Sequence, residues 1–235
     1  MKQLTYKNGL KDGIPIALGY FAVSIAFGVT AVEMNVPSYI AVLISMTNLT
    51  SAGQLAGVAI IAVLGTVFEI ILTQLVINAR YFLMSLTLSQ KLDSKFTLLD
   101  RFLCAFGVTD EIFAVAVTKK EVSSKYLYGL ILLPFLGWTV GTLTGALMGS
   151  VLPEILLNAL SIALFAMFIA VVIPETIENK KLIIVILISV ILSCAFYFIP
   201  LLNTVTSGIA YIICAVVASV IGAIFLPIKE SDNNG

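Results

Sequence analysis

Apolar residues fall into runs long enough to cross a bilayer, and the gaps between runs hold most of the charge. Six runs stand out: Ile14 to Val32, Val58 to Ile77, Tyr126 to Ser150, Ile155 to Ile173, Leu182 to Ile199 and Val205 to Leu226. Each approaches the ~20 residues that a helix needs to span the hydrocarbon at ~1.5 Å rise per residue. Two more stretches are apolar but interrupted. Ser38 to Gly57 contains Thr47, Asn48, Thr50, Ser51, Gly53 and Gln54, and Phe102 to Thr118 contains Thr109, Asp110 and Glu111. The pattern predicts an all-α, polytopic membrane helix bundle with six full spans plus two re-entrant or broken helical segments; eight spans is the alternative.

The basic residues favour the first arrangement. Lys2, Lys7 and Lys11 precede the first run, Arg80, Lys91, Lys95 and Arg101 follow Ile77, and Lys119, Lys120 and Lys125 follow the second interrupted stretch. Lys180, Lys181 and Lys229 come later, while the turns near Asn35, Pro153 and Asn203 carry no Lys or Arg. If both interrupted stretches re-enter, every basic connection lies on the cytoplasmic side. If both cross, the connection from Asn78 to Arg101 moves outside. The expected organisation is a cytoplasmic N-terminus over 1–13, one transmembrane domain over 14–226 and a cytoplasmic tail over 227–235, in a bacterial inner or plasma membrane. The basic start superficially copies a signal peptide, but the following run is too long and is not closed by a small-residue cleavage site, so it is expected to be a retained span. Between Gln90 and Phe102, Leu92, Phe96 and Leu99 share a helical face, which suggests a short interfacial helix.

Composition narrows the chemistry. Of 235 residues 60% are hydrophobic and 11% charged, and 13 Lys and Arg balance 13 Asp and Glu, so no excess charge exists to hold a nucleic acid. The chain has no His, which removes the commonest metal ligand and general base. Cys104, Cys194 and Cys214 lie inside apolar runs and read as small hydrophobes. Neither a cofactor nor a metal is expected.

Polar residues inside apolar runs are the candidates for function, because ionisable groups at bilayer depth are costly. Glu69, with Gln74 about a turn on, serves either a pathway or a helix contact. Ser51-Ala-Gly53-Gln54 has the spacing of a capping box and predicts a helix beginning inside the bilayer, whose free amides and positive dipole end suit a carboxylate. Thr109-Asp110-Glu111 marks a second break, where a carboxylate meets an amino group, a proton or Na⁺, or else lies at the cytoplasmic surface. Asn78-Ala-Arg80 is either a deep cationic site or a positive-inside anchor. The candidate substrate residues are therefore Ser51, Gly53, Gln54, Asn78, Arg80, Thr109 and Asp110, with Asp110, Glu111 and Glu69 as candidates for ion coupling.

Other features read as structural. Gly141-x-x-x-Gly145-x-x-x-Gly149 is a helix-packing ridge, and Trp138 reads as an interface anchor. Pro15-Ile-Ala-Leu-Gly19-Tyr20 and Pro134-Phe-Leu-Gly137-Trp138 form a faint internal repeat. Glu69, Gln74 and the glycine ridge offer more docking features than the six spans visibly consume, which suggests a neighbouring subunit.

At these places the sequence resembles the large subunit of the AzlC-type (azaleucine-resistance) branched-chain amino acid exporters. The resemblance rests on Gly13-Ile-Pro15-Ile-Ala-Leu-Gly19-Tyr20, Ser51-Ala-Gly53-Gln54, Ile77-Asn78-Ala-Arg80-Tyr81, Thr109-Asp110-Glu111-Ile-Phe113-Ala114 and Trp138-Thr-Val-Gly141-Thr142, and it extends to Ala166-Met-Phe168 and Pro174. It implies efflux of leucine, isoleucine, valine and related amino acids together with a small membrane subunit of the AzlD type; a homodimer is the alternative. Many relatives carry His where this chain has Tyr81, so no proton-relay role passes to that position. Two classes of function remain open. One is a secondary transporter of neutral amino acids, exporting or importing. The other is a non-transporting scaffold or an intramembrane enzyme, although no metal-ligand cluster, phosphate loop or activated nucleophile marks the latter.

Overall fold

A computed structural model of the chain describes residues 4–148, 179–200, 202 and 204–225, with scattered positions between 153 and 177. The predicted span Ile155 to Ile173 lies largely outside the described residues, as do Gly149 and the tail 227–235. The described residues form helices α1 (Tyr6–Glu33), α2 (Ser38–Thr47), α3 (Ala52–Ala62), α4 (Val67–Ser89), α5 (Leu98–Phe106), α6 (Asp110–Val117), α7 (Ser124–Met148), α8 (Lys181–Phe198) and α9 (Ser207–Phe225). Among them α1, α4, α7, α8 and α9 are long and apolar enough to cross a membrane.

Helices α1 and α7 pack side by side and run in the same direction, forming the spine of the fold. A Cβ on Gly13 would lie 2.9 Å from the Leu130 carbonyl oxygen, and one on Gly137 would lie 2.6 Å from that of Ala17. Further along, Gly141 meets Phe21 and Gly145 meets Ile25. Contact rises in step along both helices because small residues let the two backbones touch, the main source of helix attraction where lipid is as apolar as leucine. Gly141 and Gly145 of the glycine ridge are therefore consumed within the chain. The segments Pro15 to Gly19 and Pro134 to Gly137 meet across this seam, and the Tyr20 and Trp138 rings that follow them stand edge to face at 5.3 Å.

Both interrupted stretches form re-entrant hairpins, entering from opposite faces of the bundle. On the first, the Ser38 hydroxyl donates to the Ala146 carbonyl at 3.1 Å, Ser45 pairs with Thr142 at 2.8 Å, and Leu49 packs with Tyr20 and Trp138. So α2 descends along α7 from its C-terminal end to its middle. Helix α3 then climbs back: Gln54 Nε2 donates to Ser45 at 3.0 Å, and Val58 packs with Phe27, Ala31, Val36 and Ala41. The second hairpin starts where the Tyr128 hydroxyl donates to Asp100 at 2.7 Å, rises past Gly107 against Ile131, and turns at Thr109 beside Tyr20. Helix α6 returns to the N-terminal face, where Lys119 pairs with Asp12 at 2.9 Å and Lys91 donates to the Val117 carbonyl at its end. At ~1.5 Å per residue, helices of this length reach only about halfway through the hydrocarbon.

Two predicted elements are corrected. The run Val58 to Ile77 is not one span: it breaks at Val63–Gly65, where Leu64 adopts φ 54°. The spanning helix is α4, begun by a capping box in which the Thr66 hydroxyl accepts from Glu69 N at 3.2 Å and the Glu69 carboxylate accepts from Thr66 N at 2.7 Å. The interfacial helix expected over Gln90 to Phe102 does not form as such. Its first half is a loop tied to Val122 by backbone hydrogen bonds from Asp93 N at 3.0 Å and to the Lys91 carbonyl at 2.8 Å, and the helix starts only at Leu98. That tie uses backbone groups, to which side-chain periodicity is blind.

Candidate functional site

The hairpin tips meet in the middle of the bundle. Leu49 and Ser51 from the first, Thr109, Asp110 and Glu111 from the second, Tyr20 of α1, Tyr81 of α4 and Trp138 of α7 enclose a cavity of about 10 Å³, the space of one water. Two helices begin at this cavity. Thr109 caps α6, its hydroxyl accepting from Ile112 N at 3.5 Å, and Ser51 precedes α3. The positive dipole ends of both helices therefore point at the same small volume.

The polar side chains at this level form a chain of contacts. Arg80 Nη1 lies 2.9 Å from Asp110 Oδ2, with the two side chains 39% and 29% exposed. Its guanidinium also sits 5.1 Å from the centre of the Tyr81 ring. The Tyr20 hydroxyl lies 2.6 Å from the Thr109 hydroxyl and also hydrogen bonds to the Glu111 carboxylate. One cation and two carboxylates thus converge where lipid would solvate none of them.

Of the sequence-predicted residues, Ser51, Thr109, Asp110 and Glu111 line the cavity, and Arg80 joins it through Asp110. Asn78 and Gly53 stand beside it as a brace: Gln74 donates to the Gly53 carbonyl at 2.7 Å and accepts from Asn78 Nδ2 at 2.9 Å, tying the start of α3 to α4. Gln54 does not line it. Its amide turns to Ser45, which continues to Thr142, so it fastens the first hairpin to itself and to α7. Nor is Ser51-x-x-Gln54 a capping box, because Ser51 takes φ 41°, a left-handed conformation that aims its hydroxyl away from the helix amides, and its side chain makes no capping bond. Glu69 is remote from the site, being spent on the α4 cap and on a hydrogen bond from Thr206 before α9.

Sequence reading missed Tyr20, Tyr81, Leu49 and Trp138 as site residues. Trp138 is not an interface anchor; it is 2% exposed and lies mid-way along α7. Its distance from either end of a run of spanning length was the available signal.

Residues 15–152 match the model of a known family, described as AzlC protein. The chain belongs to the AzlC family. Its similarity to an uncharacterized membrane protein of Archaeoglobus fulgidus is 30% identity over 176 residues, 74% of this chain and 77% of the relative. It is 28% identical to the inner membrane protein YgaZ of Escherichia coli K12 over 147 residues, 60% of each chain, and 25% identical over 153 residues to an uncharacterized membrane protein of Helicobacter pylori, 63% of whose length is covered. No solved structure is similar at a significant level. The AzlC match covers α1 from Pro15 onward and α2 to α7, and with them both hairpins and the cavity between them. The chain is a multi-pass membrane protein of this family.

Proposed function

We propose that the chain is a secondary transporter of neutral, mostly branched-chain α-amino acids, working as an exporter in the cell membrane with both termini in the cytoplasm. The observation that carries this reading is the Arg80–Asp110 pair at the meeting of two hairpin tips. An α-amino acid bears one carboxylate and one ammonium on adjacent carbons. A paired cation and anion offers a partner to each, and both charges of the pair stay compensated when the ligand inserts between them. The cavity has room for only one water, so the hairpin tips must part to admit the substrate. Entry from either side uses the same groups, so export is favoured over uptake by the family resemblance alone.

Arg80 answers only one of the two carboxylates, which leaves Glu111 available to carry a coupling proton or Na⁺. A small membrane subunit of the AzlD type is the partner the family resemblance suggests, with a homodimer as the alternative. Glu69, Gln74 and Gly145 do not themselves call for a partner, since all three are engaged within the chain. The test is efflux of radiolabelled leucine from proteoliposomes containing the chain with and without the small subunit. Leucine flux above that of empty vesicles supports transport, and flux absent under both conditions favours a scaffold or an enzyme.

A further inference from the structure

Around the central cavity Tyr20 of α1 bonds to Thr109 and Glu111 at the start of α6, and Arg80 of α4 pairs with Asp110. Trp138 of α7 is 2% exposed and lines the cavity, yet its Nε1–H has no acceptor among the described residues. A buried indole N–H normally finds one, because leaving it bare forfeits the hydration it lost. Its ring is held on two sides, edge to face with Tyr20 at 5.3 Å and stacked on Phe27 at 6.5 Å, so it cannot easily rotate to seek a partner. Four other buried side-chain atoms lack a partner among the described residues, Gln54 Oε1, Asn78 Oδ1, Thr139 Oγ1 and Arg80 Nε, and of these only Arg80 Nε–H is a donor on a charged group.

The Trp138 and Arg80 N–H groups can only donate, and beside the Arg80 charge the acceptor that suits both is an anionic oxygen. We propose that Trp138 Nε1–H donates to a carboxylate oxygen of the amino acid bound at the central site, alongside the Arg80 guanidinium, and so selects for ligands that carry a carboxylate. This rests on the amino acid reading above and adds the residue that fixes the carboxylate's position. Trp138 suits the role because it stands on the spine, where the glycine seam locks α7 to α1, while the hairpin tips are the parts that separate. The donor stays in place as the site opens. The ammonium end of the ligand then falls to Asp110.

The chain has a single Trp, so its fluorescence reports on this position alone. Purified protein is titrated with L-leucine and with 3-methylbutylamine, which keeps the side chain and amine but lacks the carboxylate, while calorimetry measures binding independently. In wild type, leucine should change Trp emission and bind at least about tenfold more tightly than the amine. Trp138→Phe, which keeps the ring and loses the N–H, should weaken leucine about tenfold, the size of a hydrogen bond to a charged group, and leave the amine unchanged. Equal leucine affinity in folded Trp138→Phe and wild type overturns the proposal, as does calorimetric leucine binding to wild type with no change in emission. The latter test stands even if the variant does not fold. Absence of any calorimetric leucine binding to wild type overturns the amino acid reading and this one with it.

Discussion

Arg80 Nη1 lies 2.9 Å from Asp110 Oδ2, a pairing of α4 with the first residue of a helix that begins inside the bundle. Asp110→Asn keeps the shape and removes the anion, so Arg80 is left uncompensated and the ligand's ammonium loses its partner. Leucine binding should fall by about tenfold or more, the ~1.5–3 kcal/mol of a hydrogen bond to a charged group. Isothermal titration of the purified variant decides this, and unchanged affinity in folded protein removes Asp110 from the site.

Among the described residues Glu111 makes no ion pair, and its carboxylate accepts from the Tyr20 hydroxyl. Glu111→Gln preserves a hydrogen-bonding group there while removing the charge. Leucine exchange across proteoliposomes should then survive better than flux driven by a pH or Na⁺ gradient. Full gradient-driven flux in this variant, with either ion, eliminates Glu111 as the coupling group.

The N-terminal face gathers Lys91, Lys119 and Asp12 around the end of α6, whereas the turn after α1 lies at the other face. In a background without the three native cysteines, Ser94→Cys and Glu33→Cys, both at exposed positions, should react with an impermeant thiol reagent from opposite sides of the membrane. Ser94→Cys is expected to label only from the cytoplasm. Labelling of both from one side contradicts the hairpin topology.

Asp100 caps α5, accepting from Thr97 N at 2.9 Å and from the Thr97 hydroxyl at 2.7 Å, and these bonds, with one from Tyr128, hold its carboxyl below the usual range. A carboxyl depressed on folding stabilises the protein above its unfolded pKa, and that contribution disappears as pH falls through the folded value. Amide exchange at the start of α5 should therefore quicken relative to the rest of the bundle in acid. Asp100→Asn should show the faster exchange already at neutral pH. Equal protection in wild type and variant at neutral pH counts against the cap.

Much of this fold is legible in the sequence because lipid imposes a simple rule: apolar runs span, and polar breaks turn. Asn48 to Gln54 and Thr109 to Glu111 announce both hairpins, and their tips hold Ser51 and Asp110 as the residue types suggest. The rule fails at Val63-Leu64-Gly65, where a turn is made by apolar residues and only Thr66 and Glu69, as a capping pair, betray it. It fails again for Gln54, since its spacing from Ser51 is that of a cap but a left-handed Ser51 withdraws the hydroxyl. Trp138 and Tyr20 were hidden for another reason: aromatic residues are at home in apolar runs, and only the packing of α1 on α7 shows that their polar atoms face inward.

Two glycines separate packing from propensity. A Cβ on Gly53 would meet Gln74 Oε1 at 2.6 Å and Asn78 Nδ2 at 3.3 Å, as well as the Thr50 hydroxyl, whereas one on Gly19 would meet nothing within 4 Å among the described residues. Both glycines lie within helices, where alanine is intrinsically favoured by up to ~1 kcal/mol. Gly19→Ala should accordingly leave thermal stability unchanged or slightly raised. Gly53→Ala instead forces the brace between α3 and α4 apart, at an overpacking cost of about 1–3 kcal/mol. Because that brace sets the first hairpin tip against the cavity, leucine flux should drop in Gly53→Ala and not in Gly19→Ala. Melting curves and proteoliposome flux measured on the pair test both halves, and equal behaviour of the two variants means that the tip's position does not depend on the close approach at Gly53.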